Sequence, residues 1–585
     1  MRKQSLTIKS TRKLKVVIFA IFVLYAVILA RAFYIQVIAG EDYVKRVLAD
    51  FPKGRIIKIT SYRGSILDKN GQPLAISLPT ISIYAFPKFV QHKNELSDKL
   101  SKILNIPKDQ ILNTLNSKDR FVWIVRHAPQ SDKGLAEQAI LDTDNSKGVG
   151  IQNDFKRFYP NHNVASNLIG FVGWDGKGLD GMEYALNKYL GGKPIEVMTI
   201  FAPKEGKMVL RPLSIQDAGT QNDVYLTIDM GVQSIVEDIK NKIVKEFNPR
   251  RVAIVVEDVR NGNILGMATY PDFDPNDYYN YPQRDWRNSA VTDVFEPGSV
   301  MKPFFLGYAM AKGYIHRGET CNAHGGRGDF YGHIVTDVEH NGILTMSQIL
   351  IVSSNVCAMK VASHLTREDA ENVVNLFHLV KPYGIIPGEQ AGILPNFYYP
   401  INRMFATIGQ GIAVNALNLT NAYAALATDN LVKPHIVRKI VNPLGKVIYH
   451  EKVDIIHKDI YPKSTIDWLH YALEQVVEKG TGIYAKSNHF TIAGKTGTSQ
   501  IFNFKTGHYS WRKVVAVFAG FFPVSNPRFS AVIVAYDPHP KNGALAWGGS
   551  VSAPYFKELV DRISFYYALK PDKTPQNKAS SGNNQ

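Results

Sequence analysis

The sequence predicts an α/β protein in three parts: one transmembrane helix, a mixed α+β domain and a larger α/β sandwich domain. An apolar run lies close to the N-terminus, and strand-like and helical stretches alternate from residue 41 to about 208. Strand-like runs also occur at both ends of the remaining chain, with helices between them, which predicts a sheet that joins the two ends of a layered domain. Of the 585 residues, 45% are hydrophobic and 20% charged, as is typical of a folded chain.

The N-terminal apolar run is long enough to span a bilayer. Val16–Ala30 is unbroken, and residues 32–39 extend it past Arg31, whose side chain can reach the headgroups. Six Lys and Arg residues and no acidic residue precede it, so the positive-inside rule predicts a cytoplasmic N-terminus. The small residues around Arg31 also resemble a signal-peptide cleavage site. Because the apolar run continues beyond them, we expect an uncleaved, single-pass anchor over residues 16–39.

The remaining chain is divided by a polar segment around Gly219, which marks a domain boundary. Strands are predicted by composition and helices by apolar spacing. The predicted strands are Arg55–Ile59, Ile81–Tyr84, Val224–Ile228, Val252–Glu257, Val514–Phe522 and Phe529–Tyr536, and the predicted helices include Leu96–Leu104 and 231–247. We expect a cytoplasmic tail over 1–15, the anchor over 16–39, a non-catalytic domain over 41–215, a catalytic domain over 216–570 and a disordered polar tail over 571–585.

Charge and cysteine content exclude several classes of protein. The net charge of +17 attracts polyanions, but no zinc-finger spacing or glycine-rich phosphate loop accompanies it, so nucleic-acid binding is not predicted. Cys321 and Cys357 are the two cysteines of the chain, which excludes a disulfide framework. They either pair in an oxidising compartment or stay separate as small buried side chains, which is the commoner state. The histidines near Cys321, which are His316, His324, His333 and His340, match no zinc spacing, and no metal is expected.

The first chemical motif is S-x-x-K at Ser299–Lys302. A Pro-Gly turn precedes it and an apolar helix follows, which places Ser299 at a helix N-terminus where N–H groups stabilise a developing oxyanion. Three residues separate Ser299 from Lys302, so both side chains project from one face. The pattern indicates a nucleophilic serine with a lysine general base, provided that burial or a second cation lowers the pKa of the lysine.

The second motif is Ser353–Ser354–Asn355, between an apolar run and a helical stretch. The Ser353 hydroxyl is suited to pass a proton to a leaving amine, and the Asn355 amide is suited to hold a substrate amide. Each of these short patterns is weak alone. Chance copies occur at Ser10–Lys13 and Ser581–Asn583, and only order and context select among them.

The third motif, Lys495–Thr496–Gly497–Thr498, is predicted to lie on a strand beside the nucleophile. Lys495 is a candidate for the second cation near Lys302, and Gly497 is expected to let the substrate backbone come close. Lys495, Thr496 and Thr498 can bind a terminal carboxylate. A copy of the motif at Lys505–Gly507 lies in a predicted hairpin loop and is set aside.

In this order the three motifs resemble those of the class B penicillin-binding proteins, and the resemblance covers nearly the whole chain. The first non-catalytic motif of the family is similar to Arg63–Gly71, and the second to Arg157–Pro160 with Gly170 and Gly173. Stretches similar to the division-specific FtsI type are Gly262–Met267, Pro271–Asn276 and Thr292–Ser299. His162 and Asn167 depart from the second motif, and Asn415 and Asn418 depart from the usual residues after Gly411. The pedestal contacts and one wall of the cleft are therefore expected to differ from the family pattern.

The resemblance implies a cofactor-free serine D-Ala-D-Ala transpeptidase that cross-links septal peptidoglycan stem peptides and is acylated by β-lactams. It implies a pedestal domain and a β-lactamase-like penicillin-binding domain outside the inner membrane at the septum. The oxyanion hole is assigned to the backbone N–H groups of Ser299 and Thr498. A SEDS-type glycan polymerase and other divisome membrane proteins are the implied partners. The alternative is the elongation-specific transpeptidase; more distant ones are a non-catalytic divisome scaffold and a β-lactam-hydrolysing or β-lactam-sensing relative.

Overall fold

A computed structural model describes residues 4–34, 55–59, 62–191, 195–201, 208–212, 221–503, 508–541 and 543–573. The strands are β1 (Arg55–Ile59), β2 (Ile66–Leu67), β3 (Pro73–Ala85), β4 (Val122–Pro129), β5 (Val149–Phe158), β6 (Ile195–Phe201), β7 (Met208–Pro212), β8 (Asp223–Leu226), β9 (Arg251–Asp258), β10 (Asn263–Tyr270), β11 (Thr320–Asn322), β12 (Arg327–Phe330), β13 (His333–Thr336), β14 (Ile343–Thr345), β15 (Leu431–Val432), β16 (Val437–Val441), β17 (Val447–His450), β18 (Ile455–His457), β19 (Ala493–Asn503), β20 (His508–Phe522) and β21 (Phe529–Tyr536). The helices are α1 (Gln4–Phe33), α2 (Lys93–Leu104), α3 (Lys108–Leu115), α4 (Lys133–Asp142), α5 (Ser166–Ile169), α6 (Gly181–Ala185), α7 (Asn187–Leu190), α8 (Met230–Phe247), α9 (Ser289–Thr292), α10 (Lys302–Ala311), α11 (Met346–Ile351), α12 (Asn355–Ala362), α13 (Arg367–Leu376), α14 (Pro400–Thr407), α15 (Ala416–Thr428), α16 (Lys463–Lys479), α17 (Gly548–Val551) and α18 (Ala553–Tyr566).

The chain forms two compact units that interleave along the sequence. The first unit contains Met1–Ser61, Thr80–Asp154 and Lys193–Gly219. The second unit contains Tyr62–Pro79, Phe155–Gly192 and Thr220–Gln585. Two stretches of the segment 41–215 are therefore grouped with the part of the chain that follows it, whereas sequence patterns predict one continuous domain there.

The first unit contains α1, which is apolar enough to cross a membrane over Val16–Phe33, with a mean hydropathy of 2.7. The predicted anchor continues to residue 39, and its last residues lie outside the described part of the chain. A small core also belongs to this unit, where buried residues of β3 pack against α2, α3 and α4. The residues at the centre of this core are Ile81, Ile83, Leu96, Leu100, Ile111, Leu115 and Ile140.

The second unit is built on an antiparallel sheet in the order β10-β9-β21-β20-β19. Successive residues of β9 face opposite sides of the sheet. Ile254 packs into the core that includes α8 and α18, and Val255 packs into the core that includes α10 and α15. Because both faces are covered by helices, the strands are almost continuously apolar. The predicted α/β sandwich, whose sheet joins β9 to β20 and β21, is confirmed.

The two non-catalytic motifs meet at a buried ion cluster in the second unit. Arg63 Nε and Arg157 Nε each lie 2.6 Å from a carboxylate oxygen of Glu183. The Glu183 side chain is 0% exposed, so the two arginine cations compensate the burial of its charge. Arg157 also donates to the Gly64 carbonyl at 2.8 Å. Sequence patterns identified both arginines but not Glu183.

The departures from the family pattern have structural roles in the second unit. Asn167 Nδ2 donates to the carbonyl oxygens of Asp285 at 2.7 Å and Arg287 at 3.2 Å. The side chain of Asn415 caps α15 by accepting from the N–H of Asn418 at 2.8 Å. Asn415 and Asn418 are each 1% exposed, so they are helix-capping and core residues and do not form an open cleft wall.

The preference for two separate cysteines is wrong, because Cys321 and Cys357 form a disulfide. Cys321 lies on β11 and Cys357 lies in the first turn of α12. The sequence separation is 36 residues, and spacing alone does not say whether two such positions meet. The bond also removes Cys321 as a thiolate ligand, and the described residues contain no cluster suited to a metal ion.

Candidate active site

Ser299 lies in a single 3-10 turn, Gly298–Met301, that leads directly into α10. Gly298 has φ +65°, and a Cβ there would approach the Thr498 carbonyl oxygen to 2.8 Å. Glycine is therefore required at this position both by the backbone conformation and by the close strand. The backbone of Thr498 on β19 consequently lies beside the turn that carries Ser299. Tyr423 holds the other side of the turn by donating to the Val300 carbonyl at 2.9 Å.

Lys302, one turn after Ser299, is fully buried and points to the second motif. Its Nζ donates to the Ser353 carbonyl at 2.6 Å, to Asn355 Oδ1 at 2.8 Å and to Ser353 Oγ at 3.2 Å. Burial and the nearby Lys495 lower the pKa of Lys302 well below its ordinary value, against an opposing effect of Asp337. A neutral amine at this position is a competent base.

Lys495 approaches Ser353 from β19. Its Nζ donates to Ser353 Oγ at 2.9 Å and to the Thr496 carbonyl at 3.2 Å. The side chain is fully buried, and burial lowers the pKa of Lys495 to about 7. The Ser353 hydroxyl therefore lies between two buried amines, which is the geometry of a proton relay.

The other residues of the third motif are distributed between the site and the strand packing. Thr496 Oγ1 lies 2.8 Å from Thr481 Oγ1, and Thr498 Oγ1 accepts from the Gly548 N–H at 2.9 Å. Because Thr498 Oγ1 accepts that bond, its own proton is available to a ligand. A Cβ at Gly497 would lie 2.4 Å from the Pro297 carbonyl, so the close neighbour of this glycine is the chain's own turn.

The second motif is held by residues that sequence patterns missed. Asp337 Oδ1 accepts from the N–H groups of Asn355 at 2.6 Å and Val356 at 3.0 Å, and Oδ2 accepts from Ser354 Oγ at 2.7 Å. No local pattern identifies Asp337, since it lies after β13, well before the motif in the chain. Asn355 was expected to hold a substrate amide; its side chain here accepts from Lys302 and donates to the Thr336 carbonyl at 3.0 Å.

The structure describes the selected motifs and leaves the side chains of the competing copies outside the described part of the chain. Lys505–Gly507 and Ser581–Asn583 lie outside the described residues, as do the side chains of Ser10–Lys13. β19 and β20, on either side of the Lys505 copy, are paired up to Asn503 and His508. The three selected motifs do converge, since Lys302, Ser353 and Lys495 are joined by hydrogen bonds.

Two known protein families match consecutive parts of the chain. The penicillin-binding protein transpeptidase domain matches residues 252–561, and the penicillin-binding protein dimerisation domain matches residues 58–226. The FtsI peptidoglycan D,D-transpeptidase of Escherichia coli K12 is 29% identical, with 94% of this chain and 90% of that protein covered. The probable peptidoglycan D,D-transpeptidase PenA of Neisseria gonorrhoeae is 31% identical, with 96% and 94% covered.

Solved structures share the fold. A peptidoglycan synthetase from Bifidobacterium adolescentis has a TM-score of 0.70 at 22% identity, covering 89% of this chain and 98% of that one. Penicillin binding protein 3 from Mycobacterium tuberculosis has a TM-score of 0.65 at 24% identity, covering 89% and 99%. The apolar helix α1 fits a single-pass protein of the inner membrane. With its motifs joined in one site and both domain models matched, the chain belongs to the class B penicillin-binding proteins of the FtsI type, the β-lactam-binding serine transpeptidases that cross-link peptidoglycan.

Proposed function

We propose that this transpeptidase acts through Ser299 as the nucleophile, with Lys302 as its general base. The observation that carries the proposal is the position of Ser353 Oγ, 3.2 Å from Lys302 Nζ and 2.9 Å from Lys495 Nζ. Ser299 Oγ attacks the carbonyl carbon between the two D-Ala residues of the donor, and its proton goes to the neutral amine of Lys302. The N–H groups of Ser299 and Thr498 stabilise the oxyanion.

Collapse of the tetrahedral intermediate breaks the D-Ala–D-Ala peptide bond. The proton on Lys302 passes through Ser353 Oγ to the leaving amine, and terminal D-Ala departs. Lys495, Thr496, Gly497 and Thr498 hold the donor strand and its carboxylate, and Asn355 orients the donor amide once Lys302 has exchanged partners. The amine of an acceptor stem peptide then attacks the acyl-enzyme along the reverse proton path. A β-lactam acylates Ser299 by the same attack, with its ring amide as the bond that breaks.

Labelling of the purified full chain with a fluorescent penicillin tests the nucleophile. Ser299→Ala is expected to abolish labelling, because Ser299 is the only residue of the S-x-x-K motif that carries a hydroxyl. Ser363→Ala is the matched control, since Ser363 is an exposed serine at the end of α12 that donates to the Lys360 carbonyl. Labelling that survives in Ser299→Ala and disappears in a different serine variant would contradict the assignment.

We further propose septal action with a SEDS-type glycan polymerase and other divisome membrane proteins, supported by the FtsI-type family. The proposed segments are the tail 1–15, the anchor 16–39, the pedestal 41–215, the catalytic domain 216–570 and the tail 571–585. A tagged copy in growing cells is expected at midcell; a sidewall pattern would assign it to elongation.

The orientation of the anchor has its own test. A reporter that is active only outside the cytoplasm is expected to work when fused after Gly40 and to fail when fused before Lys13.

A further inference from the structure

Ser353 has a strained backbone that needs support from its surroundings. Its φ is +63°, in the left-handed region that non-glycine residues rarely adopt. Such strain persists at a functional site only where the neighbouring structure holds the residue in place. Two contacts from outside the motif do so.

The first contact is the Asp337 carboxylate. It accepts from the N–H groups of Asn355 and Val356 at the start of α12 and from the Ser354 hydroxyl. Each of its two oxygens therefore accepts at least one hydrogen bond from residues 354–356. Oδ2 also accepts from Asn341 Nδ2 at 2.9 Å. A carboxylate at the first turn of a helix is favourable, and these bonds fix the direction in which the chain leaves Ser353.

The second contact is the Cys321–Cys357 disulfide, which ties the first turn of α12 to β11. Cys321 pairs in register with Leu344 of β14, and α11 follows β14 directly and leads to Ser353. Lys360 adds a link from α12 to β11 by donating to the Asn322 carbonyl at 2.8 Å. The disulfide therefore closes a covalent loop over residues 321–357 that contains both Asp337 and the whole second motif.

We propose that Asp337 and the Cys321–Cys357 disulfide form a clamp that positions Ser353 and Asn355 for proton transfer in the transpeptidase reaction. The inference rests on the catalytic roles proposed above. Asp337 and both cysteines are positioning residues, since they act through the second motif. A reductant must reach the sulfur atoms from the partly exposed Cys321, because Cys357 is 0% exposed.

The clamp has a specific kinetic signature. Ser299, Lys302 and the carboxylate-binding residues of β19 all lie outside the loop 321–357, and Asn355 is the one proposed ligand contact inside it. Loosening the loop is therefore expected to lower the rate of acylation strongly and to change the noncovalent affinity for a β-lactam only slightly, because the carboxylate contacts on β19 remain. A general loss of folding would lower both.

The test uses the purified full chain, a fluorescent penicillin and stopped-flow kinetics that separate the noncovalent dissociation constant from the acylation rate constant. We expect Asp337→Asn and Cys321→Ala/Cys357→Ala each to slow acylation by roughly tenfold or more, the scale of a small misplacement of reacting groups. The dissociation constant is expected to change less than about threefold, within the range of a neutral substitution. Asp329→Asn is the matched control, because Asp329 accepts from the Gly332 N–H at 2.8 Å in the same loop and is expected to leave both constants unchanged.

A reduction arm avoids any folding defect of the variants. Dithiothreitol gives two electrons and two protons to the S–S bond, producing two thiols and its own cyclic disulfide. Reduced wild type is expected to be acylated as slowly as the double cysteine variant and to recover on reoxidation, while dithiothreitol is expected to leave the acylation rate of that variant unchanged.

The pH dependence of acylation provides a second readout for Asp337. Because the Asp337 carboxylate raises the pKa of Lys302, Asp337→Asn is expected to move the acidic limb of the pH–rate profile for acylation to lower pH.

Each outcome decides between the clamp and its alternatives. The clamp would be overturned if the reduced wild type and both clamp variants were acylated at the wild-type rate. It would also be overturned if Asp329→Asn slowed acylation equally, or if the noncovalent affinity fell in parallel with the acylation rate. A wild-type chain that is not acylated at Ser299 overturns the proposed function itself, and the clamp's catalytic role with it.

Discussion

Lys240 and the pair Lys302 and Lys495 show two different solutions to the burial of a lysine. All three side chains are 0% exposed. Lys240 Nζ contacts Glu237 at 2.7 Å and also contacts Asp272. Lys302 and Lys495 instead contact hydroxyl, amide and carbonyl oxygens around Ser353.

The difference appears in the protonation of the three amines. Burial lowers the pKa of Lys240, but Glu237 and Asp272 outweigh it and raise the pKa above its ordinary value. Burial lowers the pKa of Lys302 and Lys495, and Lys495 lowers that of Lys302 further. A buried lysine with carboxylate partners stays charged and stabilises the fold, whereas one without them releases its proton more readily and is suited to proton transfer.

The largest expected effect follows removal of the base. Lys302→Met is expected to slow acylation by ~10³-fold or more, because removing one member of a catalytic unit costs about as much rate as removing the whole unit. The folded state should be retained, since methionine fills the same buried volume without a charge. Rapid-quench measurement of acylation by one β-lactam checks the rate, and thermal unfolding serves as the control.

Lys240→Met is expected to have the opposite profile. It leaves Glu237 and Asp272 without their cation, and breaking such a buried pair costs about 3 kcal/mol of unfolding free energy. The acylation rate of the remaining folded protein should stay close to wild type at low temperature. Equal loss of acylation in Lys240→Met and Lys302→Met would remove the distinction between the two kinds of site.

Lys495→Ala separates the two copies of the third motif. It is expected to slow acylation by ~10²-fold, the scale of losing one electrostatic contact in the transition state. Because Lys495 lowers the pKa of Lys302, its removal should also move the acidic limb of the pH–rate profile upwards. Lys505→Ala is the matched control and is expected to change the rate less than ~3-fold. A large loss of acylation rate in Lys505→Ala would instead assign the site to the copy of the motif at Lys505–Gly507.

The smallest expected effect is on the pH dependence of stability. The pKa of Lys495 is about 7 in the folded chain and near 10.4 when unfolded, so between these values the unfolded chain binds the extra proton. Stability contributed by this position therefore rises with pH across that window. Denaturant unfolding from pH 7 to 10 should show a shallower rise for Lys495→Met than for wild type. Lys240→Met should not show this change in slope, because the pKa of Lys240 is raised.

Local patterns were sufficient for the elements that position the site. The turn before Ser299, the strand that carries Lys495 and the helix after Asn355 were all predicted, because each is specified by residues a few positions apart. The sheet order was inferred only as far as strands at both ends of the domain. Asp337 and Glu183 were missed because each makes its decisive contacts with residues distant in the chain.

The amino-acid sequence by itself determined the class of chemistry, the order of the three motifs and the apolar anchor helix, since these depend on residue type and short spacing. The tertiary structure alone decided that Ser353 lies between Lys302 and Lys495, which are 51 and 142 residues away. It also decided that Cys321 and Cys357 pair, and that Pro297 rather than open space faces Gly497. The physical reason is that burial, which lowers the pKa of both lysines, is a property of packing between distant segments and leaves no local periodicity.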